Sequence, residues 1–455
     1  MPNSLRTIFF IGAVALSAGS TAGTPAGAQS FFCPTTIAGL TGIHFAVNEC
    51  TNGNTGAYSN ATLAAQAVSD LSQSSTQDAT KATMTGLSNR RAAEQNRCPE
   101  GYSRIGGVCQ RDTIQAMPFA AESPLRGALL PAELQAAAPR LQVSAAERMP
   151  VATWVELHGD YELRTGRGQG SGEFGRLALD ARSTTRSGGL VGGVDVTLRN
   201  IASPGDGFII GLLTGYMSSN LTVNTKSTSA DPARIPGGSN TLNVGFTGPS
   251  AGIYASYFNG PFSSDLAFKA DFLGLDLSFS ELLGFRANPA LGIAAAVAPF
   301  SGNESTGLTN YTLGGNVNYR LPINASVWLQ PTAGFQYTRS DYAADAAQFA
   351  LDDGYLLRLQ GGVRAGMDGV WGGTPVTTSF TALIYDNVRV RGGFVPSLAG
   401  NNPLILNDEG KLRGQAGVAV NFQHANGVSS FLQGEVRGGQ DLIAAGGRAG
   451  LRIAW

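Results

Sequence analysis

Charge is scarce in this chain: 14% of its 455 residues are charged, and the formal net charge is -1. Lys and Arg are scattered rather than clustered, so there is no basic face to attract nucleic acid, and none is expected as a partner. Histidine is rarer still, with only His44, His158 and His424 in the whole chain, which leaves little for imidazole catalysis or metal ligation. Cysteine stops early, at Cys33, Cys50, Cys98 and Cys109. These spacings match no zinc pattern, so no metal or cofactor is expected. They suggest two local disulfides in an oxidising compartment, most simply Cys33–Cys50 and Cys98–Cys109, although four cysteines allow three connectivities. Also missing is any run of about 18 uncharged apolar residues, so no transmembrane helix is expected.

What the chain does have is glycine, 61 residues of it, with a mean hydropathy of zero. That composition suits two-faced strands. Residues 1–28 read as a secretory signal peptide, with Arg6 in the n-region, Ile8 to Leu16 as the apolar core and Ala26-Gly27-Ala28 at the cleavage site. The mature chain is expected to begin at Gln29. Residues 60–97 hold one interior glycine, Gly86, and no proline, and read as helix. Their apolar stripe is thin and Gln73-Ser74-Ser75-Thr76-Gln77 is polar, so a stalk, a paired helix or a partly disordered segment is expected, with a simple solvated helix ahead of a coiled coil. Cys98-Pro99-Glu100-Gly101-Tyr102 and Gly106-Gly107-Val108-Cys109 suggest a small stapled hairpin. Residues 112–150 are alanine-rich and broken by five prolines, which makes a slim segment with short helical turns after Pro131 and near Ala145.

From Thr153 onward the pattern alternates strictly, and twelve strands are expected, at about 152–163, 188–198, 208–219, 248–258, 262–272, 309–320, 326–338, 355–368, 375–388, 411–423, 428–439 and 444–455. Most reach the roughly 9 to 11 residues that a tilted strand needs to cross a bilayer. In the last strand Ala449, Leu451, Ile453 and Trp455 alternate with Arg448, Gly450, Arg452 and Ala454, giving one face for lipid and one for water. Short links at 199–207, 259–261, 321–325, 369–374 and 424–427 alternate with longer ones at 164–187, 220–247, 273–308, 339–354 and 389–410. Such alternation is expected of an outer-membrane barrel with periplasmic turns and external loops. Tyr161, Tyr257, Phe258, Tyr319, Tyr337, Tyr355 and Phe422 fall near strand ends, as an interfacial girdle would. The fold expected is mainly β: a 12-stranded antiparallel transmembrane barrel over 152–455, preceded by a small helical, disulfide-stapled region.

A signal peptide, an exported region and about 300 residues of barrel ending in an aromatic together resemble an autotransporter of type V secretion. The resemblance covers 1–28 as signal and 152–455 as translocator, and Ala449, Leu451, Ile453 and Trp455 resemble the C-terminal signature read by the barrel assembly machinery. It implies a Gram-negative outer membrane, periplasmic chaperones as partners and a passenger, here 29–124, shown at the cell surface to an unknown ligand, adhesion being one such role. It also implies that the segment before the first strand, 125–151, links passenger to barrel through the lumen. Some members of the family cut the passenger off at an asparagine in this segment. Residues 112–150 contain none, so the passenger is expected to stay attached. The rival reading is a channel whose N-terminal region remains periplasmic.

Two features bear on chemistry. Gly248-Pro249-Ser250-Ala251-Gly252 matches the nucleophile-elbow spacing but runs into a strand instead of a helix, and His424 belongs to a distant turn. Glu156, His158, Asp160 and Glu162 share one face of the first strand and are expected to meet luminal Arg358, Arg364, Arg413, Arg437, Arg448 and Arg452 as ion pairs, with Arg448 and Arg452 beside Glu156, Asp160 or Glu162. No enzymatic activity is expected.

Overall fold

The computed structural model describes most of residues 151–455, with exceptions chiefly within 286–293 and 393–408. Before residue 151 it describes β1 (Ala57–Tyr58), β2 (Tyr102–Ile105), β3 (Val108–Arg111) and ten positions between Val68 and Arg91. The expected signal peptide, the segment 112–150 and Cys33, Cys50 and Cys98 lie outside the described residues. Cys109 is on β3, opposite Arg104 of β2.

The wall runs through β4 (Val151–Gly172), β5 (Gly175–Arg199), β6 (Asp206–Ser229), β7 (Gly238–Asn259), β8 (Phe262–Phe285) and β9 (Ala296–Tyr319). After the short β10 (Leu321–Pro322) it continues through β11 (Val327–Tyr342), β12 (Gly354–Trp371), β13 (Thr374–Gly392), β14 (Arg413–Gln423), β15 (Val428–Gly438) and β16 (Leu442–Ala454). Each strand pairs antiparallel with the next, β9 pairing β11 directly, and β16 closes on β4, so twelve strands form a barrel without a full-length edge. Closure brings the chain end home: the Trp455 N–H donates to the Val151 carbonyl at 3.0 Å. Turns at this end are tight. Between β12 and β13, Gly372 and Gly373 take φ of +56° and +82°, the left-handed pair that a two-residue hairpin needs.

Around the lower wall, Leu157, Leu212, Ile253, Phe268, Ile384, Leu432, Ile443 and Leu451 point outward and are exposed, while Glu156, Asp195, Asp265, Lys269, Arg358 and Arg437 point inward and are buried. That is the polarity of a wall in lipid. Three of the expected long links prove to be mostly strand: 164–187, 220–247 and 273–308 carry β4 to β9 on to lengths of 22 to 25 residues. The reason is a change of phase. On β8 the outward Phe268 and Phe272 are apolar, then the apolar series jumps to the inward Leu273, Leu275, Leu277 and Phe279. On β6 it passes from outward Leu212 and Tyr216 to inward Leu221 and Val223. Above the membrane band the wall is therefore polar outside and apolar inside, with a dry core of Leu179, Leu221, Leu242, Phe246, Leu275, Phe279, Leu308 and their neighbours. The turn Ala344–Phe349 and Leu351 close over it. Phe258, expected in the interfacial girdle, instead faces the lumen and is buried with Tyr254 and Ile209; Gly207 leaves room for its ring.

Candidate functional site: the occupied lumen

The lumen is filled by a helix from the N-terminal region. Val68, Ser72, Thr76, Gln77, Thr80, Lys81, Thr83, Met84, Ser88 and Arg91 have helical backbone, at spacings of one to four residues that turn in every direction. All but Lys81 are buried. Thr80 Oγ1 donates to the Thr76 carbonyl at 3.0 Å, the i−4 bond that lets a hydroxyl sit inside a helix without a side-chain partner.

Its contacts descend the barrel in order. Val68 joins the dry core at the top. The Ser72 and Tyr342 hydroxyls lie 3.4 Å apart, and Asn310 Nδ2 donates to Thr76 Oγ1 at 2.7 Å. Gln336 Nε2 reaches the Gln77 carbonyl at 3.4 Å. Halfway down, Lys81 Nζ donates to Gln415 Oε1 at 2.6 Å and to Glu435 Oε1 at 2.8 Å. Met84 packs with Val191, Ile209, Leu213, Tyr254 and Phe258. Arg364 Nη1 donates to Ser88 Oγ at 3.0 Å, and Arg91 pairs with both oxygens of Asp265, which also accepts from Ser256 at 2.6 Å. From Val68 to Arg91 a helix rises about 35 Å, enough to run through a bilayer core of about 30 Å. The buried pairs hold it in register: breaking one by removing a partner leaves an uncompensated charge at a cost of about 3–5 kcal/mol.

The expected luminal cluster is distributed as follows. Arg437 pairs with Asp160 and lies 3.8 Å from Glu162, which also accepts from Arg164 Nε at 2.5 Å. Arg448 meets Glu435 at 3.5 Å and stands opposite His158 in the β16–β4 register. Glu156 is buried, and neither carboxylate oxygen accepts a hydrogen bond among the described residues. Arg358 Nε donates to Asn387 at 2.9 Å and its guanidinium lies over the Tyr385 ring. Arg413 turns to Asp441 at the upper rim, 3.3 Å away, where Lys411 also pairs. Arg452 is half-buried opposite Trp154. Trp154 Nε1 donates to Tyr254 at 2.6 Å and Tyr254 to Asp195 at 2.9 Å, a chain across strand faces that sequence reading did not single out. Ala449, Leu451, Ile453 and Trp455 share the outer face of β16, with Leu451 opposite Val155 and Ala449 opposite Leu157.

Ser250 is buried within β7, opposite Asp271 and within a continuous strand. The nearby Lys269 Nζ lies 2.9 Å from Asp271, and His424 stacks on Phe422 in a turn at the far end of the barrel. Among the described residues no histidine is hydrogen-bonded to this serine. Among the described residues no three His, Cys, Asp or Glu side chains converge as a metal site requires.

Sequence reading placed the luminal element at 125–151, which lies outside the described residues; the helix found in the lumen comes from within 29–124. The helical positions fall within the 60–97 expected as helix; the thin apolar stripe did not reveal that they lie in the lumen, where most of their contacts are polar. The signal that was there is the series Ser72, Thr76, Thr80, Thr83 and Ser88, small hydroxyls at helical spacing interspersed with Lys81 and Arg91.

The family model described as the autotransporter beta-domain matches residues 166–435, more than half of the chain. Among solved structures, the beta domain of the Bordetella autotransporter BrkA is 16% identical with a TM-score of 0.39, covering 67% of this chain and 99% of that one. The transport unit of the autotransporter AIDA-I from Escherichia coli is 13% identical with a TM-score of 0.42, covering 69% and 93%. The translocator domain of NalP from Neisseria meningitidis is 12% identical with a TM-score of 0.33, covering 68% and 89%. A search of the curated proteins finds no match.

Proposed function

The chain belongs to the autotransporter family, its barrel being an autotransporter beta-domain of the Gram-negative outer membrane, and we propose that this barrel carries the chain's own N-terminal segment through its lumen and displays it at the cell surface. The observation that supports this is the direction of the helix. Short turns and both ends of the wall mark the periplasmic rim. Arg91 pairs with Asp265, three residues above the start of β8 at that rim, whereas Val68 lies in the upper core. Further up the sequence, Ala57 and Tyr58 pair with Phe285 and Gly284 at the outer tip of β8. The chain before the helix therefore leaves on the outer side. The displayed piece ends near residue 67, shorter than the expected 29–124. A role in contact or adhesion suits such a segment, and binding of cells with and without residues 29–56 to host or neighbouring surfaces would test it.

The decisive test is protease treatment of intact cells carrying an epitope after Gln29. Loss of the epitope is expected; protection would return the protein to the channel reading, with its N-terminal region in the periplasm. In sequence, Asn89 falls between the luminal Ser88 and Arg91, whereas 112–150 has no asparagine. The ion pairs of Lys81 and Arg91 hold the plug, and a full-length chain in whole-cell extracts is expected. A fragment beginning beside Asn89 would show release.

A further inference from the structure

We propose that residues 92–150 stay in the periplasm and that the β2–β3 hairpin within them is a stop that fixes how much of the chain is exported. The inference rests on the display reading and goes beyond it. Both ends of this stretch are at one rim. Arg91, before it, is paired to Asp265 near the start of β8, and Val151, after it, begins β4 beside Trp455. The stretch cannot double back through the barrel, because the helix touches Asp265 of β8, Asn310 of β9, Gln336 of β11, Arg364 of β12, Gln415 of β14 and Glu435 of β15. A lumen engaged on that many strands by an object about 10 Å wide has no room for a second chain.

Joining one side of a rim to the other takes a handful of residues, and the chain spends the whole of 92–150 on it. Within that excess, β2 and β3 form an antiparallel hairpin, Tyr102 pairing with Arg111 and Ile105 with Val108, which begins shortly after the helix. Its strands lie about 4.8 Å apart before side chains are added. Cys109 sits on it and Cys98 precedes it in sequence, so oxidation would turn a hairpin that can unravel into a closed loop. A chain drawn outward through the barrel would run freely to Arg91 and then meet this obstacle at the periplasmic mouth. The cysteines are thereby divided between two compartments: Cys33 and Cys50 precede the helix and go out, Cys98 and Cys109 follow it and stay in. Only the first pair has to pass through the lumen.

Two epitopes in one full-length chain test this, one after Gln29 and one after Thr113. In intact cells external protease should remove the first and leave the second, and permeabilising the outer membrane should expose the second. Loss of the second epitope in intact cells would overturn the periplasmic placement while leaving display standing. Protection of both would sink the display reading and this one with it. The stop itself is tested by the double substitution Cys98→Ser and Cys109→Ser and, separately, by deleting Pro99–Arg111, in cells where heat-modifiable migration shows an assembled barrel. A share of the second epitope should then become cleavable from outside, where the parent has none. If both variants assemble and that epitope remains fully protected, the hairpin is no stop.

Discussion

The membrane band and the wall above it are built from the same strands with opposite polarity. In the band, Leu212, Ile253 and Phe268 face out while Asp265 and Lys269 face in; higher up, Asn220, Asn243 and Asp276 line the outer surface while Leu221, Phe246 and Leu275 are buried. Period-two alternation continues across the boundary and only its phase changes. The lesson is that alternation specifies a strand, whereas the solvent on each side specifies which half of the alternation is apolar.

The comparison can be broken most sharply in the upper core. Phe246→Asp puts a lone carboxylate among Leu242, Leu275 and their neighbours, and should cost more than about 4 kcal/mol, the range of buried unpaired charge. Proteolysis of the wall in intact cells should become rapid while the membrane band still assembles; a variant as resistant as the parent would mean that the upper interior is wet. Next in size, Leu212→Arg on the lipid face should cost about 2–4 kcal/mol, measured by urea unfolding in vesicles. No change there would place Leu212 outside the hydrocarbon.

A smaller effect is expected at the upper rim on the short side of the barrel. Burial alone would raise the Asp441 carboxyl, but the Lys411 hydrogen bond and the charge of Arg413 bring it below its ordinary value of 3.8. A carboxyl lowered on folding adds stability above its unfolded pKa and loses it as pH falls through the folded one. The difference in stability between parent and Asp441→Asn should therefore be constant from neutral pH down to about 4 and shrink below it. A gap that closes already at pH 6 would contradict the pairing. Smallest of all, Asn220→Leu on the outer face above the band should stay within about 0.5 kcal/mol. Clear stabilisation in vesicles would move the lipid boundary up past β6.

The same phase change explains how much could be read from sequence. β14, β15 and β16 stay within the band, and their expected limits, 411–423, 428–439 and 444–455, agree within two residues with those found. β6 was expected to end at Ser219, because the outward apolar series stops at Tyr216 while only the inward one, Ile209, Leu213, Met217, Leu221 and Val223, runs on; a reading that follows the lipid face takes that stop for a loop. The inward charges of β4 were legible as luminal for the converse reason: no core or bilayer accepts Glu156, Asp160 and Glu162 on one face. Arg437, which meets Asp160 and Glu162, was among the expected partners, but the helix's pairs with Glu435 and Asp265 were not, since Lys81 and Arg91 reach them from 354 and 174 residues away in sequence, a pairing no local pattern encodes. The helix expected over 60–97 was legible, but its place in the lumen was not, because an apolar stripe tells only of apolar surroundings.

The unequal height of the barrel has one more consequence. Past Tyr216, β6 runs on to Ser229, which at a tilted rise of about 2.5 Å per residue lifts the wall about 30 Å above the bilayer, while β14 to β16 stop level with it. Among the described residues the wall is thus high over β5 to β9 and low over β14 to β16. An antibody or phage arriving from the medium meets the polar outside of β5 to β9 first, and whatever stands in the mouth is reached from the low side, past β14 to β16.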